Sequence, residues 1–150
     1  MDNHKVNEVH KTNESMENYL ETILVLSKSR PVVRAVDIAE EMGFKKPSVS
    51  VALKKLKEIG DIEVTKEGFI YLTDKGKEVA YMIYERHVLL SNWLISLGVD
   101  QHVALDDACR IEHDLSIESF NAIKTFIKKN QADVYKETQQ TLKASNIRKA

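Results

Sequence analysis

The run Phe44-Lys45-Lys46-Pro47-Ser48-Val49-Ser50-Val51-Ala52-Leu53-Lys54-Lys55-Leu56-Lys57-Glu58-Ile59-Gly60 carries the signals of a DNA-facing helix. Pro47 suits the first turn, where its missing N–H leaves no extra unpaired group, and Val49, Ala52, Leu53 and Leu56 recur at the spacing of one buried face. Just before it, Val36-Asp37-Ile38-Ala39-Glu40-Glu41-Met42-Gly43 reads as a shorter helix stopped at Gly43, a residue that takes left-handed backbone at little cost. Two short helices around a tight turn, the second opening on small hydroxyl residues and carrying Lys54, Lys55 and Lys57, form a helix-turn-helix pattern.

Downstream of Gly60 the apolar period shifts from helical to alternating. Ile62 and Val64, then Phe69-Ile70-Tyr71-Leu72, flank the turn Lys66-Glu67-Gly68, which predicts a β-hairpin. A hairpin directly after a helix-turn-helix is the wing of a winged-helix domain. Between Lys45 and Lys66 six lysines face three acids, a local excess of +3. Positive charge is thus concentrated where a recognition helix and wing would meet phosphates. The competing reading is a solvated lysine face on a winged helix used for protein contacts.

Upstream, Tyr19, Leu20, Ile23, Leu24 and Leu26 form an apolar stripe on a first helix predicted to start at a Ser15 cap and to end before Pro31. Residues 1–14 are polar and aperiodic, with His4 and His10 among charges, and are expected to be a flexible arm. The winged helix-turn-helix domain is then expected over 15–73 and a second, all-α domain over 74–150. Thr73-Asp74-Lys75-Gly76 opens a long helix, with Val79, Met82, Ile83, Leu89, Leu90, Trp93 and Leu94 at helical spacing up to Leu97-Gly98. Val99 and Asp100 start the next helix, given an apolar side by Val103 and Ile111. Ser116 caps another, filled by Phe120, Ile123, Phe126 and Ile127. Beyond Asn130 a polar terminal helix with Val134, Tyr135 and Leu142 is expected to pack weakly and fray, with a basic end at Arg148 and Lys149. The fold class is mainly α.

Composition narrows the function classes. In 150 residues, Lys+Arg 22 and Asp+Glu 23 nearly cancel, so any basic surface must be local. A hydrophobic fraction of 43% suffices for a packed core. The single cysteine, Cys109, excludes an intramolecular disulfide, and the polar start lacks the apolar segment of a signal peptide. A cytoplasmic protein without a membrane span is expected.

The second domain carries Asp106-Asp107-Ala108-Cys109-Arg110-Ile111-Glu112-His113. In a helix, Cys109, Glu112 and His113 sit at i, i+3 and i+4 and share one face. A thiol, a carboxylate and an imidazole converging within one turn suit a transition-metal ion. Cys109 as a small buried hydrophobe and Glu112-His113 as a solvated pair is the alternative.

With these elements in order, residues 15 to 130 resemble the DtxR/MntR family of iron- and manganese-dependent transcriptional repressors. Three signatures carry the resemblance: Ser15-Met16-Glu17-Asn18-Tyr19-Leu20-Glu21, Thr73-Asp74-Lys75-Gly76 followed by Glu85-Arg86-His87 with Leu89-Leu90, and Cys109-Arg110-Ile111-Glu112-His113. The resemblance implies a winged-helix DNA-binding domain followed by a helical metal-binding and dimerisation domain, as in the short members that lack a C-terminal SH3-like domain. It implies that Cys109, Glu112 and His113 match ligands of the iron-type members, and that Glu21 and His87 match ligands of the manganese-type members. Asn18 stands where iron-type members carry Met and manganese-type members Asp. The thiolate of Cys109 leans the co-repressor toward Fe²⁺ over Mn²⁺. Ser91 and Leu105 stand where a second iron-type site would need ligands, which favours a paired site sharing Glu21, His87 and Cys109.

The resemblance further implies that metal ties the two domains together and shifts the population toward a DNA-binding arrangement. A homodimer formed through helices rich in Val103, Ile111, Phe120 and Ile123 would set its recognition helices one DNA turn, roughly 34 Å, or a multiple of it apart on a palindromic double-stranded operator. Lys45, Lys46, Pro47, Ser48, Ser50, Lys54, Lys55 and Lys66 would approach the DNA backbone, and Val51 could offer only apolar contact, for instance to a thymine methyl. No enzymatic activity and no small-molecule substrate are expected, because phosphate loops, His-Glu-x-x-His runs and nucleophile elbows are missing from the sequence. The rival reading is a winged-helix regulator responding to an oxidant at Cys109 or to a small ligand.

Overall fold

A computed structural model describes the backbone of residues 3–145 and the side chains of residues 14–145. Seven helices and one hairpin follow in the order α1 (Asn3–Ser29), α2 (Ala35–Met42), α3 (Lys46–Glu58), β1 (Ile62–Val64), β2 (Ile70–Leu72), α4 (Asp74–Ser96), α5 (Gln101–Ile111), α6 (Ile117–Asn130) and α7 (Ala132–Ala144). Among the described residues two compact units form, one running to Tyr81 and the other from Met82. The division falls inside α4 rather than ahead of it.

In the first unit, α1 buries the expected stripe of Tyr19, Leu20, Ile23, Leu24 and Leu26. Its start differs from the expectation: the helix is continuous from Asn3, so Ser15 lies within it rather than at its cap, and residues 3–14 are not an irregular arm. With neither Gly nor Pro between Asn3 and Ser29, no residue imposes a stop. Residues 1 and 2 lie outside the described residues.

Gly43 ends α2 with φ 67°, and Pro47 stands in the first turn of α3, whose buried residues are Val49, Leu53 and Leu56. The strands pair antiparallel with Ile62 opposite Leu72 and Val64 opposite Ile70. This register puts the four apolar residues on one face and the exposed Glu63 and Tyr71 on the other. Ile70 N–H donates to Val33 O at 2.8 Å, tying the hairpin to the extended link between α1 and α2.

The first turn of α4 belongs to this unit because it grips the α3–β1 corner. Lys75 Nζ donates to Ile59 O and lies 3.6 Å from Asp61 Oδ1. A Cβ on Gly76 would meet Asp61 O at 2.0 Å, so only glycine allows the approach.

The second unit is built on Leu89, Phe120 and Ile127, with Trp93, Leu115, Ile123, Val134 and Tyr135 packed around them. Ser116 caps α6 as predicted, its side chain accepting from Ser119 N–H. Val103 and Ile111 are 50% and 36% exposed, and α5 turns Ala104 and Ala108 inward instead. Phe120 is buried in the core of the second unit. The terminal helix is also better seated than its polar sequence suggests. Thr138 and Leu142 of α7 are 1% and 3% exposed, and Asn92 Nδ2 donates to Thr138 Oγ1 at 3.1 Å. Arg148 and Lys149 lie outside the described residues. No helix among the described residues is long and apolar enough to cross a membrane.

Candidate metal centre and nucleic-acid interface

The metal-type side chains of the second unit meet where α4 passes the end of α5. Asp100 caps α5 by accepting from His102 N–H at 3.0 Å, and Ala104 and Ala108 face the core. One more step of four residues brings Glu112 to the same buried stripe. Glu112 still has helical backbone and donates its N–H to Ala108 O, and its side chain is fully buried.

Two imidazoles flank the buried carboxylate. His87 Nδ1 of α4 lies 3.1 Å from Glu112 Oε2, and His113 Nε2 lies 3.4 Å from Glu112 Oε1. The second approach falls outside hydrogen-bond geometry, leaving Glu112 Oε1 without a hydrogen-bond partner among the described residues. The His113 side chain is 1% exposed and that of His87 26%. Burial by itself would raise the Glu112 carboxyl, but the two imidazoles of His113 and His87 set against it outweigh burial and hold the group below its ordinary value. The result is a desolvated anionic oxygen pair beside two nitrogen donors, a donor set suited to a divalent transition metal.

Of the six residues expected to bind metal, His87, Glu112 and His113 are thus brought together. Cys109 is exposed on α5, so it does not share the burial of Glu112 and His113 as a common helical face would require. The helix ends at Ile111, so Glu112 and His113 lie in the turn that follows while Cys109 stays within α5, and the three do not share one helical face. Asn18 and Glu21 are half-buried on α1 in the first unit. Arg86, named in the sequence only as a neighbour of His87, is missing from the expected set although it is buried and bonded to the same turn: Nη1 donates to Glu112 O at 2.9 Å and to Leu115 O at 2.8 Å. Helical spacing alone does not reveal that an arginine turns inward.

All nine residues expected to meet DNA are exposed: Lys45, Lys46, Pro47, Ser48, Ser50, Val51, Lys54, Lys55 and, on the wing, Lys66. Val51 is 59% exposed, an unusual amount for an apolar side chain in mid-helix, and Phe44 at the head of α3 is 49% exposed. Beside them lies a cleft of about 660 Å³ lined by Met16 and Tyr19 of α1 and by Lys45, Ser48, Val51 and Lys55. A helix presenting hydroxyls, lysines and an exposed apolar residue can engage both phosphates and base edges.

Comparison with known proteins matches both units. Residues 11–68 match the iron dependent repressor N-terminal DNA binding domain, and residues 73–140 match the iron dependent repressor metal binding and dimerisation domain. The chain is 34% identical over 128 residues to the transcriptional regulator MntR of Escherichia coli O6:H1, covering 85% of this chain and 82% of that protein. It is 33% identical over 122 residues to the HTH-type transcriptional regulator MntR of Bacillus subtilis, covering 81% and 86%. Among solved structures, a manganese-dependent transcriptional repressor in complex with manganese aligns with TM-score 0.69 and 28% identity over 75% of this chain and 52% of that one. The manganese regulator SloR aligns with TM-score 0.68 and 28% identity, over 75% and 53%. This chain therefore spans about half the length of those two solved structures. With a winged helix-turn-helix in one unit, a buried carboxylate–imidazole cluster in the other, and a family match to each, the chain belongs to the DtxR/MntR family of metal-dependent transcriptional regulators.

Proposed function

We propose that this chain is a homodimeric, metal-responsive repressor that binds a palindromic DNA operator when Mn²⁺ or Fe²⁺ is available, controlling metal uptake in the cytoplasm. The observation that carries the reading is the Glu112 carboxylate, fully buried between His87 and His113 with one oxygen lacking a hydrogen-bond partner among the described residues. A buried carboxylate with one oxygen that accepts no hydrogen bond is costly unless a cation completes it. His87, Glu112 and His113 would hold the ion, and the family resemblance adds Asn18, Glu21 and Cys109.

The bound ion would supply charge neutralisation and a coordination link among the residues that hold it. This chain's residues do the rest. Glu112 supplies a desolvated anion, the imidazoles supply neutral donors, and α3 with the wing supplies the DNA surface. Metal binding then favours the DNA-competent arrangement by its differential affinity for it. The names of the relatives lean to manganese, whereas a thiol at Cys109 leans to iron; carboxylate and imidazole accept either.

The test is fluorescence anisotropy with a duplex recovered from a random pool by selection in the presence of Mn²⁺. Tight binding with Mn²⁺ or anaerobic Fe²⁺ that collapses on chelation is expected, and the relative potency of the two ions ranks them. Affinity indifferent to chelator and both metals would sink the reading. Loss of binding on thiol oxidation without metal dependence would favour the oxidant-sensing alternative.

A further inference from the structure

We infer that Arg86 is a positioning residue for the metal ligands: its guanidinium clamps the main chain of residues 112–115 and so fixes where Glu112 and His113 present their donor atoms. This rests on the metal-binding reading above and adds to it a residue that contributes no ligand atom.

The turn after α5 has a specific difficulty. The last carbonyls of a helix lack intrahelical partners, and here the segment that carries them also carries two ligand side chains. Arg86 Nη1 donates to Glu112 O at 2.9 Å and to Leu115 O at 2.8 Å, closing both ends of the turn with one nitrogen. The guanidinium carbon lies 5.0 Å from the centre of the Phe120 ring, which holds the group from its flat side. Arg86 itself is 4% exposed, so these bonds form away from competing water and are expensive to lose.

The neighbouring residue completes the geometry. Arg86 and His87 are consecutive on α4, and both reach Glu112, one through its main-chain oxygen at 2.9 Å and the other through its carboxylate at 3.1 Å. One side chain sets the backbone from which the carboxylate hangs, and the other sets the carboxylate. Ligands misplaced by half an ångström or more lose affinity although their identity is unchanged, because supporting groups orient first ligands. A lysine can supply donors from the same helix position but neither the planar fork nor the stacking on Phe120, so it should restore part of the function.

The experiment titrates Co²⁺ into the full chain under anaerobic conditions, following the d–d absorption bands, for wild type, Arg86→Lys, Arg86→Met, Glu112→Gln and Leu142→Ala. Thermal unfolding of each is recorded in chelator. Half-saturation is expected to rise about tenfold or more in Arg86→Met and by less in Arg86→Lys, with altered band positions as the coordination geometry loosens. Leu142→Ala, which removes core packing elsewhere in the same unit, should lower the unfolding temperature with half-saturation unchanged. Half-saturation within twofold of wild type in Arg86→Met, while Glu112→Gln abolishes binding, would overturn the role of Arg86 alone. Binding that survives Glu112→Gln would overturn the ligand assignment and the clamp with it. If Arg86→Met does not fold, Arg86→Lys carries the same decision, and an affinity loss no greater than that of Leu142→Ala at equal destabilisation reduces Arg86 to a packing residue.

Discussion

His87 Nδ1 and Glu112 Oε2 lie 3.1 Å apart, linking the middle of α4 to the end of α5 through a carboxylate with no solvent exposure. Burial works against the charge on Glu112, yet His113 and His87 together hold its carboxyl below the ordinary value of 4.5. A depressed folded-state value means that the folded protein favours the ionised form. The stabilisation is fully present above pH 4.5 and is lost as pH falls through the folded value. In chelator, denaturant midpoints should therefore fall in that acid window more steeply for wild type than for Glu112→Gln. Equal acid sensitivity of the two proteins would show that Glu112 contributes nothing to it.

Gly76 touches Asp61 so closely that any Cβ would stand 2.0 Å from a main-chain oxygen. Neither partner is a flexible side-chain end, so the helix start or the α3–β1 corner must shift. Gly76→Ala should destabilise the first unit by about 2–3 kcal/mol, the upper range for forced overpacking. The readout is the urea midpoint followed at an amide of the hairpin. An unchanged midpoint would mean that α4 is not pinned to this corner.

Local chemistry made much of this fold legible. Gly43, Pro47, the Lys66–Gly68 turn and the Ser116 cap each act within a few residues, and each marks its element where the structure has it. Elsewhere a non-local effect prevailed. The polar start of α1 is helical because nothing interrupts it, and α5 buries alanines while Val103 and Ile111 stay outside. The Glu112–His113 pair was readable from ligand chemistry and His87 from the family resemblance. Arg86 was not, because its value lies in two carbonyls that only the folded turn brings to it.

The terminal helix α7 offers a direct check on packing against polarity. Its sequence is mostly polar, yet Leu142 is 3% exposed and Thr138 accepts from Asn92. Leu142→Ala should cost about 2–4 kcal/mol, the range for a buried leucine truncated to alanine. Hydrogen exchange should show faster exchange along α7 in the variant and slow exchange in wild type. Rapid exchange of the wild-type helix would mean that α7 frays as its sequence alone suggests.

The exposed face of α3 separates affinity from specificity. Lys54, Lys55 and Lys66 are exposed and carry charge without a fixed hydrogen-bonding fork, so replacing any one by alanine should weaken binding to all duplexes alike. Each replacement should reduce the slope of log affinity against log salt by about 1, the signature of one lost phosphate contact. Val51 is 59% exposed on the same helix and carries no charge, so Val51→Ala should leave the salt slope unchanged. Its effect should instead appear at one base pair of the operator, relaxing a preference for thymine by about 1 kcal/mol, the low end of a mismatch cost. Competition of metal-loaded protein against a panel of singly substituted duplexes measures both effects at once. A uniform loss from Val51→Ala, with no position singled out, would remove Val51 from base readout and leave only a backbone-tracking helix.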